Sequence, residues 1–225
     1  MQVYKVGIPK IAIAPMASKL KSSLYVGPTI WFVPGGSNIP LVVAIMERID
    51  NEMSANLTIA LTDERFGPYL HQDSNWTQLL DAGFDKKQAK VIEVIKKDVT
   101  DLGQTISLYE HELKSAFENA ISVIGQFGMG TDGHIAGIVP GSPADNDSLN
   151  SLVVGYVSQP FTRITLTFNG IRRINSAFLL AYGSDKHQQL DRLINQDLPL
   201  TEQPAQIIKE VRESYLYNDQ LEGKQ

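Results

Sequence analysis

The 225-residue chain contains no cysteine. That excludes a disulfide framework, a thiolate nucleophile and Cys-ligated zinc, and is consistent with a reducing compartment. Long apolar runs are missing too: none of the hydrophobic stretches approaches a membrane span, and residues 1–10 lack the apolar block of a secretory signal. The expectation is a cytoplasmic protein without a membrane partner. Clustered basic residues are also absent and the formal net charge is −5, so no nucleic-acid partner is expected. A small anionic ligand remains open, because a few cations converging on one cleft bind phosphate whatever the net charge. There is neither a Gly-Lys-Ser/Thr of a Walker loop nor a G-x-S-x-G nucleophile elbow.

What is present is a hydrophobic content of 43%, enough for one substantial core, and the chain reads as a single domain over 1–225. Strand-like and helix-like segments alternate, which is an α/β signature. Strands are expected at 29–33, 57–61, 91–95, 121–127, 152–157, 163–168 and 177–182. Helices are expected at 40–48, 101–119 and 185–194, with residues 204–217 read as a final helix and a closing strand. A first helix is expected over residues 14–25, interrupted by Pro15. In open α/β sheets ligands sit beyond the carboxyl ends of strands, and the chemically rich loops here follow strands.

The richest is Gly128-Met129-Gly130-Thr131-Asp132-Gly133-His134. Its glycines permit positive φ and close backbone approach, and its histidine changes protonation near neutral pH. The spacing is that of a dinucleotide fingerprint, but Pro140 and Pro143 oppose the helix that must follow, and Val153 stands where the ribose-binding acid belongs. Pro34-Gly35-Gly36-Ser37-Asn38, between a strand and a helix, reads either as a phosphate cradle or as a tight turn with a Ser or Asn cap. Thr62-Asp63-Glu64-Arg65 ends the second expected strand, where Arg65 would grip an anion or an oxyanion, or simply form a surface ion pair. Arg163 and Lys186 stand at later loop ends. Asp132 and His134 with Asp63, His71 and Asp73 offer N and O donors, but their spacing matches no closed metal site, and His111 and His187 fall on amphipathic helices. No metal is expected. Water attack assisted by His134 is the simplest hydrolytic chemistry these residues support.

Gly35-Gly36-Ser37, Asp63-Glu64-Arg65 with Pro68 and Ser74-Asn75, Gly128-x-Gly130-x-Asp132-Gly133-His134, Arg163-Ile164-Thr165-Leu166-Thr167 and Gly183-x-x-Lys186 together resemble the 6-phosphogluconolactonase family in order and spacing. The resemblance covers residues 29–193. It implies a three-layer αβα fold with a mostly parallel, Rossmann-like central sheet, shared with glucosamine-6-phosphate deaminases and ribose-5-phosphate isomerases. It also implies hydrolysis of 6-phospho-D-glucono-1,5-lactone, with His134, Asp132, Arg65 and Asp63 around the reacting centre. Gly35, Gly36, Ser37, Arg163 and Lys186 form the implied phosphate set. No cofactor is implied, the expected partner is a small phosphorylated sugar lactone, and the oligomer is a monomer or homodimer. This chain departs from the family pattern at Asn38, Gly137 and Val139, where Thr, Ser and Phe are usual; Asn38 retains donors and a capping group. The alternatives are a deaminase-like isomerase or a non-catalytic sugar-phosphate sensor. Against the first, Ile138-Val139-Pro140 stands where the deaminases carry Asn-Glu-Pro, and valine cannot shuttle a proton.

Overall fold

The computed structural model describes residues 1–223. Seven strands form one sheet: β1 (Gln2–Lys5), β2 (Thr29–Val33), β3 (Leu57–Leu61), β5 (Lys90–Ile92), β6 (Ser122–Gly128), β9 (Ser176–Ala181) and β10 (Glu213–Asn218). Three more, β4 (Asp63–Arg65), β7 (Val153–Tyr156) and β8 (Arg163–Leu166), form a small second sheet. The helices are α1 (Ile13–Val26), α2 (Ile39–Glu47), α3 (Asn75–Asp81), α4 (Leu102–Asn119), α5 (Phe168–Arg172) and α6 (His187–Asn195).

All neighbours in the large sheet, ordered β1-β10-β9-β6-β2-β3-β5, run parallel, with helices around it. Parallel strands covered on both faces read as continuous apolar runs, and β2 (TIWFV) and β9 (SAFLLA) are buried at every position. From β2 the chain builds outward through β3 and β5, then crosses back to lay β6 on the other side of β2. The loops after β2 and β6 therefore diverge at the topological switch point, where such sheets open a ligand crevice.

The second sheet is antiparallel, ordered β4-β8-β7. The expected strand 57–61 continues as β4, but not in the same sheet. At Thr62 the backbone turns aside: its N–H still donates to Val33 O (3.0 Å), while its carbonyl accepts from Leu166 N (2.9 Å). Tyr109, at the buried face of α4, donates its hydroxyl to Leu61 O at 2.6 Å and fixes this exit; burial pushes the phenol pKa up.

Other elements differ from expectation for local reasons. Pro15 does not interrupt α1, because it falls in the first turn, where the missing N–H has no intrahelical acceptor. The expected strand 91–95 is shorter and earlier as β5. The expected strand 163–168 stops at Leu166, because Thr167 caps α5 by accepting from Gly170 N. Residues 204–217 yield a 3-10 helix, Pro204–Glu210, and then β10. Among the strands and α-helices of the described residues, β1, an exposed edge strand, α3 and α5 were not expected.

Tyr109→Phe removes the donor to Leu61 O from a fully buried site. The expected result is a loss of about 1–2 kcal/mol of unfolding free energy in urea titrations, without change in the denaturant slope.

Candidate active site

The two switch-point loops and the rim of the small sheet enclose a cleft of about 300 Å³, within the range of small-ligand sites. Its lining brings together Gly35, Gly36, Ser37, Asp63, Arg65, His134, Arg163 and Lys186. Asp132 stands beside His134, hydrogen-bonded to it at the rim.

The loop after β6 closes on itself. Gly130 N donates to His134 O (3.0 Å) and Gly133 N to Gly130 O (3.1 Å), with Gly133 at φ 84. A Cβ on Gly130 would lie 2.1 Å from His134 Nδ1, so only glycine admits the imidazole there. Both the backbone N–H (3.1 Å) and Nδ1 (2.7 Å) of His134 face Asp132 Oδ1. The imidazole hydrogen bond, aided by the backbone one, pulls the Asp132 carboxyl down to about 2, so it stays ionised across the physiological range. An ionised acceptor at Nδ1 assigns the proton to that nitrogen and leaves the Nε2 lone pair free. The next residues hold strain as well: Ala136, at the cleft wall, has φ 51, a left-handed conformation that alanine rarely adopts.

The small sheet supplies charge. Arg65 and Arg163 are register partners across β4 and β8, an unfavourable placement for like charges. Neither they nor Lys186 forms an ion pair among the described residues. Arg65 is held by a bond to Asp73 O (3.1 Å) and by the Phe161 ring 5.2 Å away, and the Nε atoms of both arginines are buried without partners. Lys186 ends a 3-10 turn after β9, immediately before α6. Three cations without ion pairs thus converge on one cleft, and such a local field favours an anion.

Glu64, between Asp63 and Arg65, points the other way and is 1% exposed. Its Oε1 accepts from Arg65 N (2.6 Å) and Asn75 N (2.7 Å), and its Oε2 from Ser74 Oγ (2.9 Å) and Trp76 N (3.1 Å). Burial pushes this carboxyl up, and the four donors pull it back. The bonds dock the start of α3 against β4, which aims Asn75 at the cleft. Asn75 Nδ2 donates to Asp63 O (2.9 Å), and its carboxamide fills the space a Cβ on Gly35 would need. Gly137 similarly lets the segment after His134 lie against Thr165 and Asp63, with Gly137 N donating to Thr165 Oγ1 (2.9 Å) and its carbonyl accepting from Tyr156 OH (2.6 Å).

The structure thus brings Gly35, Gly36, Ser37, Asp63, Arg65, His134, Arg163 and Lys186 to one cleft, with Asp132 beside His134. It turns His71 away, Nε2 to Arg65 O at 2.8 Å, and among the described residues no three His, Asp or Glu side chains form a metal-holding group. Asn38 does not cap α2, contrary to expectation, because its backbone is already helical at φ −87, ψ −11. Sequence reasoning missed the structural part of Asn75 and a buried glutamine lattice. In that lattice Gln203 Nε2 donates to Gln189 O (2.7 Å) and Gln206 Nε2 to Gln203 Oε1 (2.7 Å), while Ala205 N bonds Gly133 O (3.1 Å). It ties the His134 loop to α6. Ser74, three residues before Thr77 whose N–H it accepts, was the available signal for α3; the glutamines carried none.

A family model for glucosamine-6-phosphate isomerases/6-phosphogluconolactonase matches residues 16–217. The chain belongs to this family. It is 24% identical over 206 residues to the 6-phosphogluconolactonase of Thermotoga maritima, covering 90% of each chain. It is 28% identical over 170 residues to that of Synechocystis, covering 72% of this chain and 70% of the relative. The crystal structure of the Thermotoga maritima enzyme superposes with a TM-score of 0.77 at 20% identity, over 96% of this chain and 97% of that one. The Trypanosoma brucei 6-phosphogluconolactonase does so with a TM-score of 0.76 at 18% identity, over 96% and 95%. These likenesses establish the α/β fold.

Glu64→Gln, in either orientation, places an amide N–H₂ against at least one backbone N–H. The expected loss is about 1–3 kcal/mol in stability. Because the folded carboxyl binds its proton more tightly than the unfolded one, its contribution falls as pH rises from the unfolded value through the folded one. Glu64→Gln should flatten that part of the stability–pH curve, measured by urea titration between pH 4 and 8.

Proposed function

We propose that the chain hydrolyses 6-phospho-D-glucono-1,5-lactone to 6-phospho-D-gluconate, the second step of the oxidative pentose phosphate pathway. The observation that carries this reading is the Asp132–His134 pair, 2.7 Å apart, at a cleft that also holds three unpaired cations. The first supplies a base with a defined free nitrogen, the second a seat for phosphate.

The phosphate lies against Ser37 Oγ and the Gly35 and Gly36 backbone at the positive end of α2, with Arg163 and Lys186 neutralising it. His134 Nε2 accepts a proton from water as the water oxygen bonds to the lactone carbonyl carbon. Arg65 offsets the charge on the carbonyl oxygen, and Asp132 offsets that of the imidazolium. As the carbonyl reforms, the bond from C1 to the ring oxygen breaks, and Nε2–H returns its proton to that oxygen. One imidazole thus serves as base and then acid, and every step is carried by side chains of this chain. Asp63, buried and hydrogen-bonded to Thr62 and Asn75, shapes the same edge. Deaminase chemistry finds no carboxylate at 138–140, where Ile138 is fully buried and Val139 stands beside it.

His134→Ala should lower kcat by about 10²–10⁴-fold while 6-phosphogluconate still binds, measured by coupled kinetics and calorimetry. Turnover like the wild type would remove His134 from the mechanism. Arg163→Ala and Lys186→Ala should each weaken 6-phosphogluconate binding by about tenfold or more. Normal binding by both would refute the phosphate assignment.

A further inference from the structure

Asn38 occupies an anomalous position. It is 5% exposed and stands where an asparagine caps a helix, yet its side chain makes no capping bond to α2. Among the described residues it makes no other side-chain hydrogen bond. A carboxamide offers two donors and an acceptor oxygen, and neither polar atom of Asn38 is sealed from solvent, so both are open to a partner outside the protein. Its surroundings show where that partner comes from. Asn38 lines the same cleft as Ser37, His134 and Lys186, and a Cβ on Gly128 would sit 2.8 Å from its Nδ2. The glycine at the end of β6 therefore lets the amide lie across the cleft floor. It sits between the loop that holds phosphate and the loop that holds the imidazole.

We infer that Asn38 is a specificity-determining residue that reads the ring hydroxyls of the lactone. The inference rests on the lactonase reading above. With phosphate at one end of the substrate and the carbonyl at the other, the part between them is a chain of hydroxylated carbons. That part is neutral, and a carboxamide matches it by donating and accepting from one side chain without adding charge. Nδ2 donates to one hydroxyl and Oδ1 accepts from a neighbouring one. A buried group built to bond a hydroxyl discriminates against the analogue that lacks it, since the amide is then left unpaired.

The test is a cycle of wild type, Asn38→Ala and Asn38→Asp against the 6-phosphorylated gluconolactone and its 2-, 3- and 4-deoxy analogues. Thermal melting of each variant runs alongside. The wild type should lose about tenfold in kcat/KM on at least one deoxy lactone. Asn38→Ala should lose about tenfold on the parent lactone and little more on that deoxy lactone, so the two deletions are not additive. Asn38→Asp, which keeps an acceptor but no donor, should also lose the discrimination. Melting temperatures should hold, because the amide bonds nothing in the protein. Equal losses on all four lactones, or a lowered melting temperature with unchanged selectivity, would assign Asn38 a structural part and overturn the inference. A wild type that neither accelerates any of the lactones nor binds 6-phosphogluconate would instead overturn the lactonase reading, and this inference with it.

Discussion

The active cleft depends on one buried carboxylate. Glu64 lies where the chain has just left the large sheet, and its four hydrogen bonds join β4 to the first turn of α3. Ordinary helix capping would satisfy one or two of those N–H groups; a carboxylate with both oxygens engaged also fixes the direction of the strand beside it. Asp63 and Arg65, on either side of Glu64, are thereby turned toward the cleft, and Asn75 is pressed against Gly35. Glu64 faces away from the cleft, and both its neighbours line it.

Around that joint the molecule accepts several local penalties. Two arginines face each other across a strand pair, their Nε atoms lack partners, and Ala136 holds a left-handed backbone. Each is locally unfavourable, and all lie within one cleft. Such clustering is the mark of a site whose stability has been given up for binding and chemistry. The Asp132–His134 pair is different: it is satisfied as it stands, with the charge needed to steady an imidazolium already in place.

The parts of this arrangement that sequence reveals are those with a local cause. Buried parallel strands such as β2, β3 and β9 show as apolar runs, and the loops that follow them carry glycine and charge in short, ordered motifs. The residues that line the cleft could be picked out because they sit in those loops. What stayed hidden was set by long-range partners. Nothing near Thr62 signals that its carbonyl will accept from Leu166 and divert the chain into a second sheet. Gly137 looks like a change of a wall residue, and only its approach to Thr165 and Asp63 explains it. Short elements such as α3 and α5 depend on caps, from Ser74 and Thr167, that override the surrounding pattern. Edge strand β1, mostly exposed and only four residues long, has no periodicity to detect.

Everything in the cleft serves the opening of a phosphorylated sugar lactone in the function proposed here. The most direct measurement follows 6-phosphogluconate released from freshly generated 6-phosphogluconolactone, coupled to its dehydrogenase, against the spontaneous rate in the same buffer. Hydrolysis should run far above that background, saturate in lactone and be competitively inhibited by 6-phosphogluconate. A rate equal to background, with 6-phosphogluconate nonetheless bound, would contradict it and leave a sugar-phosphate sensor.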